Sequence, residues 1–388
     1  MRGNRRVAPL GVCLLSLALL ATGCQSDGTA SAPEDRPTSA RTVERTSSST
    51  TAQRTSRPTP TFAGAPLAML QEEIAMCRAL GLDPIEVARL RQLPLYQMNE
   101  AQVHKFLRFL HAVEPDLRTR IGILARKNLG QPYNIYLLGE APFETFDPQP
   151  LYSLRESDCV VFAEHTLAMG LGGDWTRFFG MLQRIRYRDG QIGVATRNHY
   201  TESDWVPANA WLYTDVTDDL GGDAVVRFEQ RVDRARFLKN TFGLETDILV
   251  QQHVDTYLPF SETGRAIPEL QTGDLALIVR GTSPTDVYVG HVTMVIRTED
   301  DAINLIHSAR PVVREESIQG YIQSELRRAD RRRAEGKAYF QGFKFLRLND
   351  NPLERLVELD GPDAPSIKLP LGALVRTIPD VPVLEQPE

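Results

Sequence analysis

The amino-acid sequence predicts an α+β fold, and three observations carry that prediction. Apolar residues recur at helical spacing in the stretch from Leu70 to Asn128. From Gln183 onward, alternation and turn signals take over. Helices first and strands later argue against the regular strand and helix alternation of a parallel α/β sheet. No internal repeat is visible, and the composition from Pro66 onward suits one domain elaborated by insertions.

The chain opens on a basic stretch with Arg2, Arg5 and Arg6, followed by an apolar run from Leu10 to Leu20 and small residues before Cys24. This is the pattern of a secretory signal peptide over residues 1–23, too short in its apolar core to cross about 30 Å of hydrocarbon. Arg5-Arg6 also raises a twin-arginine signal, which the following Val-Ala-Pro-Leu fits poorly. Leu20-Ala21-Thr22-Gly23-Cys24 resembles a bacterial lipobox, which implies a lipidated Cys24 as the membrane anchor; the alternative is an ordinary signal peptide. Residues 24–65, rich in Ser, Thr, Pro, Ala and Arg, read as a disordered tether with an r.m.s. span of roughly 35 Å. The expected location is the cell envelope. Gln25 favours the periplasmic face of an outer membrane where one exists; otherwise the outer face of the cell membrane is expected. A net charge of −6 without a long basic stripe gives no reason to invoke nucleic acid.

Within the globular part, Asn99-Glu100-Ala101-Gln102 reads as a capping box, followed by Val103, Phe106, Leu107 and Leu110 at helical spacing. A second helix is expected from Asp116 to Asn128, stopped by Gly130-Gln131-Pro132, and strands are expected from Arg184-Ile185-Arg186-Tyr187 onward. Residues 66–350 form the expected domain, with a helical N-terminal part. Glu325 to Glu335 reads as a solvated helix face. Residues 351–388 read as an extended strap or tail.

Four cysteines occur: Cys13, Cys24, Cys77 and Cys159. Two belong to the leader, and the other two are expected as free thiols, Cys77 as a small buried hydrophobe. Cys159 has a different setting. Ser157 or Asp158 can cap a helix whose Val161, Phe162, Leu167 and Ala168 face a core, placing Cys159 in the first turn. Unpaired N–H groups and the helix dipole there favour a thiolate. A nucleophile needs a base. The candidate is His291 in Gly290-His291-Val292, at the start of a strand, and His307 in Ile306-His307-Ser308-Ala309 would orient it if the two strands pair antiparallel. Cysteine on a helix, histidine on a strand and a polar partner on the next strand is the papain-like order. The chemistry calls for no metal and no cofactor.

These segments, with Gly130-Gln131-Pro132-Tyr133, Arg197-Asn198-His199-Tyr200, Asp204-Trp205 and Gly273-Asp274, resemble the N-acetylmuramoyl-L-alanine amidase-like family of the NlpC-type cysteine peptidase superfamily. The resemblance runs from about Leu117 to Leu348. It implies a papain-like NlpC-type fold, with N-terminal helices packed on a central antiparallel sheet. It also implies peptidoglycan or muropeptide fragments as the partner, and Cys159, His291 and His307 as catalytic residues. The expected reaction is cleavage of the amide joining muramic acid to L-alanine; a peptide endopeptidase of the same superfamily and a non-catalytic wall-fragment binder are the alternatives. An acyltransferase is a further one, although it usually wants an Asp where His307 stands. In the superfamily, a tyrosine upstream and the aspartate before the cysteine contact the peptide's free amine, roles that fall here on Tyr133 and Asp158. Tyr133 and backbone N–H groups at the start of the Cys159 helix are expected to hold an oxyanion. The sequence departs from the family at Val161, where a threonine is usual.

The segment from Arg197 to Trp205 is chemically dense. Arg197 could fork a carboxylate, and His199 and Trp205 could contact a sugar, with Glu164 bracing Arg197 from behind. The alternative makes Trp205 a core aromatic and His199 a satisfied structural histidine, as His165 is expected to be.

Overall fold

The structure, a computed structural model, describes residues 69–360. The expected leader, the lipidated Cys24 and the tether lie outside the described residues, as does the strap beyond residue 360.

Helices α1 (Gln71–Ala79), α2 (Pro84–Gln92), α3 (Glu100–Val113) and α4 (Leu117–Lys127) come first. The last three start on side-chain caps: Asp83 accepts from Ile85 N, Asn99 from Gln102 N, and Asp116 from Thr119 N. Gln102 returns a bond to Asn99 N, which completes the predicted capping box. Helix α5 (Cys159–Leu171) follows, then α6 (Trp175–Arg186). A strand was expected where α6 ends. Ile185 instead completes a stripe with Phe178 and Leu182, all buried, so the apparent alternation of Arg184 to Tyr187 is the last turn of an amphipathic helix.

The sheet elements then alternate with short helices: α7 (Val206–Ala208), β1 (Tyr213–Asp215), α8 (Thr217–Gly221), β2 (Val226–Val232), α9 (Arg234–Phe242) and β3 (Gln251–Pro259). Strands β4 (Leu275–Gly281), β5 (Val287–Arg297), β6 (Ile303–Ala309) and β7 (Val312–Ser317) form a meander, followed by α10 (Ile318–Ala334) and β8 (Tyr339–Leu348). The strand order is β2-β3-β8-β4-β5-β6-β7, with β1 also on β8, and every pairing is antiparallel. Beyond β8 the expected strap is a helix over part of its length, α11 (Pro352–Asp360), because Leu356 finds the main core and is buried there.

Successive strand residues serve opposite faces of the sheet. Leu275, Leu277, Val292, Met294, Ile296 and Ile306 pack with Phe162 and Leu167 of α5. Ala276, Ile278, Val295, Leu305 and Phe343 pack with Ile318 and Tyr321 of α10. Both faces are covered, which explains why β4 reads as an unbroken apolar run from Leu275 to Val279.

Candidate active site

Helix α5 is buried nearly all round, and Cys159 is its first residue. Asp158 Oδ1 accepts from Val160 N at 3.0 Å and from Val161 N at 2.9 Å. This cap holds the first turn and takes those two N–H groups out of the set expected to steady an oxyanion. Burial lifts the Asp158 carboxyl to about 6 against the pull of the Val161 bond, and the Glu164 charge adds to the lift. Cys159 is 1 % exposed. Cys77 is the other free thiol among the described residues, and burial followed by the Glu73 charge pushes its thiol up.

His291 lies inside β5 rather than at its start. Ile278 pairs with His291 but Val279 pairs with Val289, so Gly290 is the extra residue of a bulge. The next strand, β6, runs antiparallel to β5, and His291 Nε2 is 2.6 Å from His307 Nδ1. His307 Nε2 is 2.9 Å from Glu316 Oε1, an oxygen that also accepts from Arg314 Nε at 3.0 Å. Burial opposes ionisation of Glu316, but the His307 bond and the charge and bond of Arg314 outweigh it and hold the carboxyl at about 2. Burial lowers the pKa of His307 against the pull of Glu316. The Tyr321 ring of α10 lies 5.6 Å from that of His307.

The neighbour of His307 ties this strand to the cysteine helix. Ser308 Oγ donates to Ser157 O at 2.7 Å, and Ser157 Oγ donates to Gln131 Oε1 at 2.8 Å. Tyr133 joins the same corner: it bridges to Ser157, and its N–H donates to Pro311 O at 3.0 Å. The Arg310 guanidinium sits 5.5 Å over the half-buried Tyr133 ring. Backbone pairing thus gathers the Tyr133 segment, the start of α5 and the end of β6.

The segment from Arg197 to Trp205 is turned inward instead. Arg197 donates to both oxygens of Glu140, at 2.7 and 2.5 Å, and to Asp147 Oδ2 at 2.7 Å. That buried fork replaces the expected clamp on a substrate carboxylate. His199 Nε2 lies 2.7 Å from Val194 O, with Phe237 and Phe242 against its ring. Burial, reinforced by the Arg197 charge, lowers its pKa to about 3, so it is a neutral histidine held by the scaffold. Trp205 is buried, with its Nε1 donating to Glu164 Oε1 at 3.0 Å, and has no face for a sugar. Glu164 therefore braces Trp205, with Arg186 at 3.7 Å, and makes no ion pair with Arg197. His165 is structural as expected: Nδ1 meets Val161 O at 2.8 Å and Nε2 accepts from Ser153 N at 3.3 Å.

Two carboxylates escaped sequence reading. Glu202 accepts from Val289 N, just before the bulge, and from Gln230 Nε2 at 3.4 Å. Glu316 is the diagonal neighbour of His307, since Arg314 pairs with His307 and Glu316 with Leu305. An acid on the strand beside a histidine strand is a usable signal, but the adjacent Glu315 carries it equally and bonds Arg126 and Asn304 instead. A cavity of about 420 Å³ lined by Arg118, Gln271, Arg347, Glu354 and Arg355 contains none of the candidate residues.

Fold and site together define an α+β protein with a capped cysteine helix against an antiparallel sheet that carries a hydrogen-bonded histidine pair. A family profile described as N-acetylmuramoyl-L-alanine amidase-like matches residues 123–326, and the chain belongs to that family. A solved structure from Legionella pneumophila, of the DUF1460 family, is similar in fold: 16% identity, TM-score 0.54, covering 64% of this chain and 94% of that one. An N-acetylmuramoyl-L-alanine amidase from Bacteroides uniformis is 20% identical at a TM-score of 0.46, covering 60% of this chain and 99% of that one. A putative xylanase from Bacteroides fragilis is 21% identical at a TM-score of 0.41, covering 58% of this chain and 99% of that one. No curated protein matches the sequence. Membership of the family points to a peptidoglycan amidase-like function.

Proposed function

We propose that this protein is a cysteine amidohydrolase of papain-like, NlpC-type architecture that cleaves the amide between N-acetylmuramic acid and L-alanine in peptidoglycan or its fragments. The observation that carries the reading is the junction at Ser157 and Ser308. It fastens the capped turn bearing Cys159 to the strand bearing His307, which in turn bonds His291 at 2.6 Å. Family membership supports the substrate class.

In this reading Cys159 gives its thiol proton to His291 and its Sγ attacks the lactyl carbonyl carbon. His291 delivers a proton to the departing alanine nitrogen as the C–N bond breaks, and a thioester remains on the enzyme. Water activated by His291 then attacks the thioester, releasing the muramic acid carboxylate and restoring the thiol. His307 orients His291. In this reading Tyr133 and the second oxygen of Asp158 meet the polar end of a substrate, which is supported by Tyr133 being half-buried and by the cap bonds using only Oδ1 of Asp158. Because Cys159 is nearly buried, catalysis in this reading requires the cover over the sulfur to open. Lipidation at Cys24 would hold the enzyme at the envelope.

The test is incubation of the protein, beside Cys159→Ala, with defined muramyl-peptides read by mass spectrometry. Release of free L-alanyl peptide, with gain of one water and dependence on Cys159, is the expected result. Cleavage between peptide residues reassigns the bond, and equal turnover by Cys159→Ala overturns the thiol mechanism.

A further inference from the structure

We propose that Glu316 is a positioning residue which, acting through His307, decides the nitrogen of His291 that is left able to take a proton. The inference rests on the assignment of His291 as base and adds to it a determinant of the tautomer. Glu316 Oε1 faces His307 Nε2 at 2.9 Å and Arg314 Nε at 3.0 Å. A carboxylate has no hydrogen to give, so the hydrogen in the first contact belongs to His307 Nε2. A neutral imidazole carries one N–H, which leaves His307 Nδ1 as an acceptor. That atom lies 2.6 Å from His291 Nε2, so His291 must supply the hydrogen there. The lone pair of His291 is then on Nδ1, the nitrogen turned away from His307. One acid sets two tautomers in series.

The surroundings support this order. Glu316 is held as a carboxylate, with the Arg314 guanidinium on the same oxygen, and burial favours the neutral form of His307 by lowering its pKa. The charged and titratable neighbours are Arg314 on β7, Arg280 on β4 with Tyr288 of β5 beside it, and Tyr321 and Glu325 on α10. Glu325 is the competing acid, but Arg280 occupies its Oε2 at 2.7 Å and Arg328 its Oε1 at 3.0 Å. Among the described residues, Glu316 is the acid that bonds the pair's outer nitrogen.

The experiment uses the full chain with ¹⁵N-labelled histidine, in wild type, Glu316→Gln and Glu316→Ala. Long-range ¹H–¹⁵N spectra of the wild type are expected to show hydrogen on Nε2 and a bare Nδ1 for both His291 and His307. The two variants are expected to lower kcat by about 10- to 100-fold with KM unchanged, as loss of a group that orients a histidine does. The pH limb set by His291 should move to lower pH, because its imidazolium loses a stabilising charge. Glu316→Gln preserves shape, so it keeps the test valid if the alanine variant misfolds. The opposite wild-type tautomers, or wild-type kcat with an unmoved limb in Glu316→Gln, overturn the inference. Cys159→Ala separates the two levels: if it abolishes turnover while the Glu316 variants change nothing, only the positioning role falls. If it retains turnover, the hydrolase reading falls and the tautomer spectra still judge Glu316.

Discussion

Ser308 Oγ donates to the Ser157 carbonyl oxygen at 2.7 Å, across a separation of 151 residues, and both side chains are buried. The bond fixes where α5 begins relative to β6. Ser308→Ala removes one of that carbonyl's two donors, with Asn134 N remaining at 3.1 Å, which costs about 0.5–1.5 kcal/mol. Urea unfolding should report that loss. At temperatures where both proteins are folded, muramyl-peptide turnover should still fall, because the cysteine turn loses its tether to the histidine strand. Unchanged turnover in a destabilised variant would remove the junction from the argument.

The two thiols should behave differently. Cys77 is sealed, and burial together with Glu73 keeps its thiol protonated. Iodoacetamide is expected to leave Cys77 unmodified until denaturant unfolds the domain, whereas Cys159 should react in the folded protein as the site opens, with loss of turnover in step. Peptide mapping after timed alkylation distinguishes them. Equal protection of both would mean that the cover over Cys159 does not open.

Arg197 should prove to be an anchor and not a substrate contact. Glu140 is 0 % exposed and has both oxygens on this guanidinium. Arg197→Leu strands a buried carboxylate, a loss of about 3–5 kcal/mol. Lysine cannot reproduce the fork and should recover only part of it. Thermal unfolding is the measurement. A stable Arg197→Leu protein with a raised KM would restore the clamp that the structure replaces.

Acid should destabilise the fold through two histidines, an effect that Asp158, lifted to about 6, offsets in part because its folded form binds a proton before the unfolded chain does. His165 and His199 are each lowered to about 3, mainly by burial. The unfolded chain binds their protons near pH 6.5 and the folded one does not, so stability is complete above that value and declines as pH falls toward 3. Each histidine contributes a slope of up to about 1.4 kcal/mol per pH unit in that window. Urea unfolding at pH 7, 6, 5 and 4 should show the decline, and His199→Gln should flatten it.

Gly290 forms the bulge that presents His291. A Cβ there would meet Arg280 Cδ at 2.8 Å and Cγ at 3.3 Å. Arg280 is itself held by Glu325 at 2.7 Å, so it can yield only by straining that pair or the bulge. Gly290→Ala is expected to reduce kcat more than it reduces the unfolding temperature, by displacing His291. A wild-type rate would show that the bulge tolerates the methyl group.

Much of the local structure was legible in the residues themselves. The Asn99 box, the Asp116 cap and the Asp158 cap all involve partners two or three positions apart, so a short window contains the whole interaction. The same locality misled at Arg184 to Tyr187, where a window opening at Gln183 hid the helical stripe begun by Phe178. The segment from Arg197 to Trp205 stays open between two readings in the sequence for the opposite reason. Its polar side chains reach partners such as Glu140 and Glu164, 57 and 41 residues away, which no window contains.

By itself, then, the sequence determined the α+β class, the capped turn that carries Cys159, and the histidine types on neighbouring strands. Tertiary structure decided that His291 meets His307, that Glu316 rather than Glu315 stands behind them, and that Arg197, His199 and Trp205 serve the scaffold. The physical reason is reach. A cap or a helix stripe is settled by backbone geometry over a few residues, whereas the partner of a long polar side chain depends on which distant segment the packed core brings within about 3 Å.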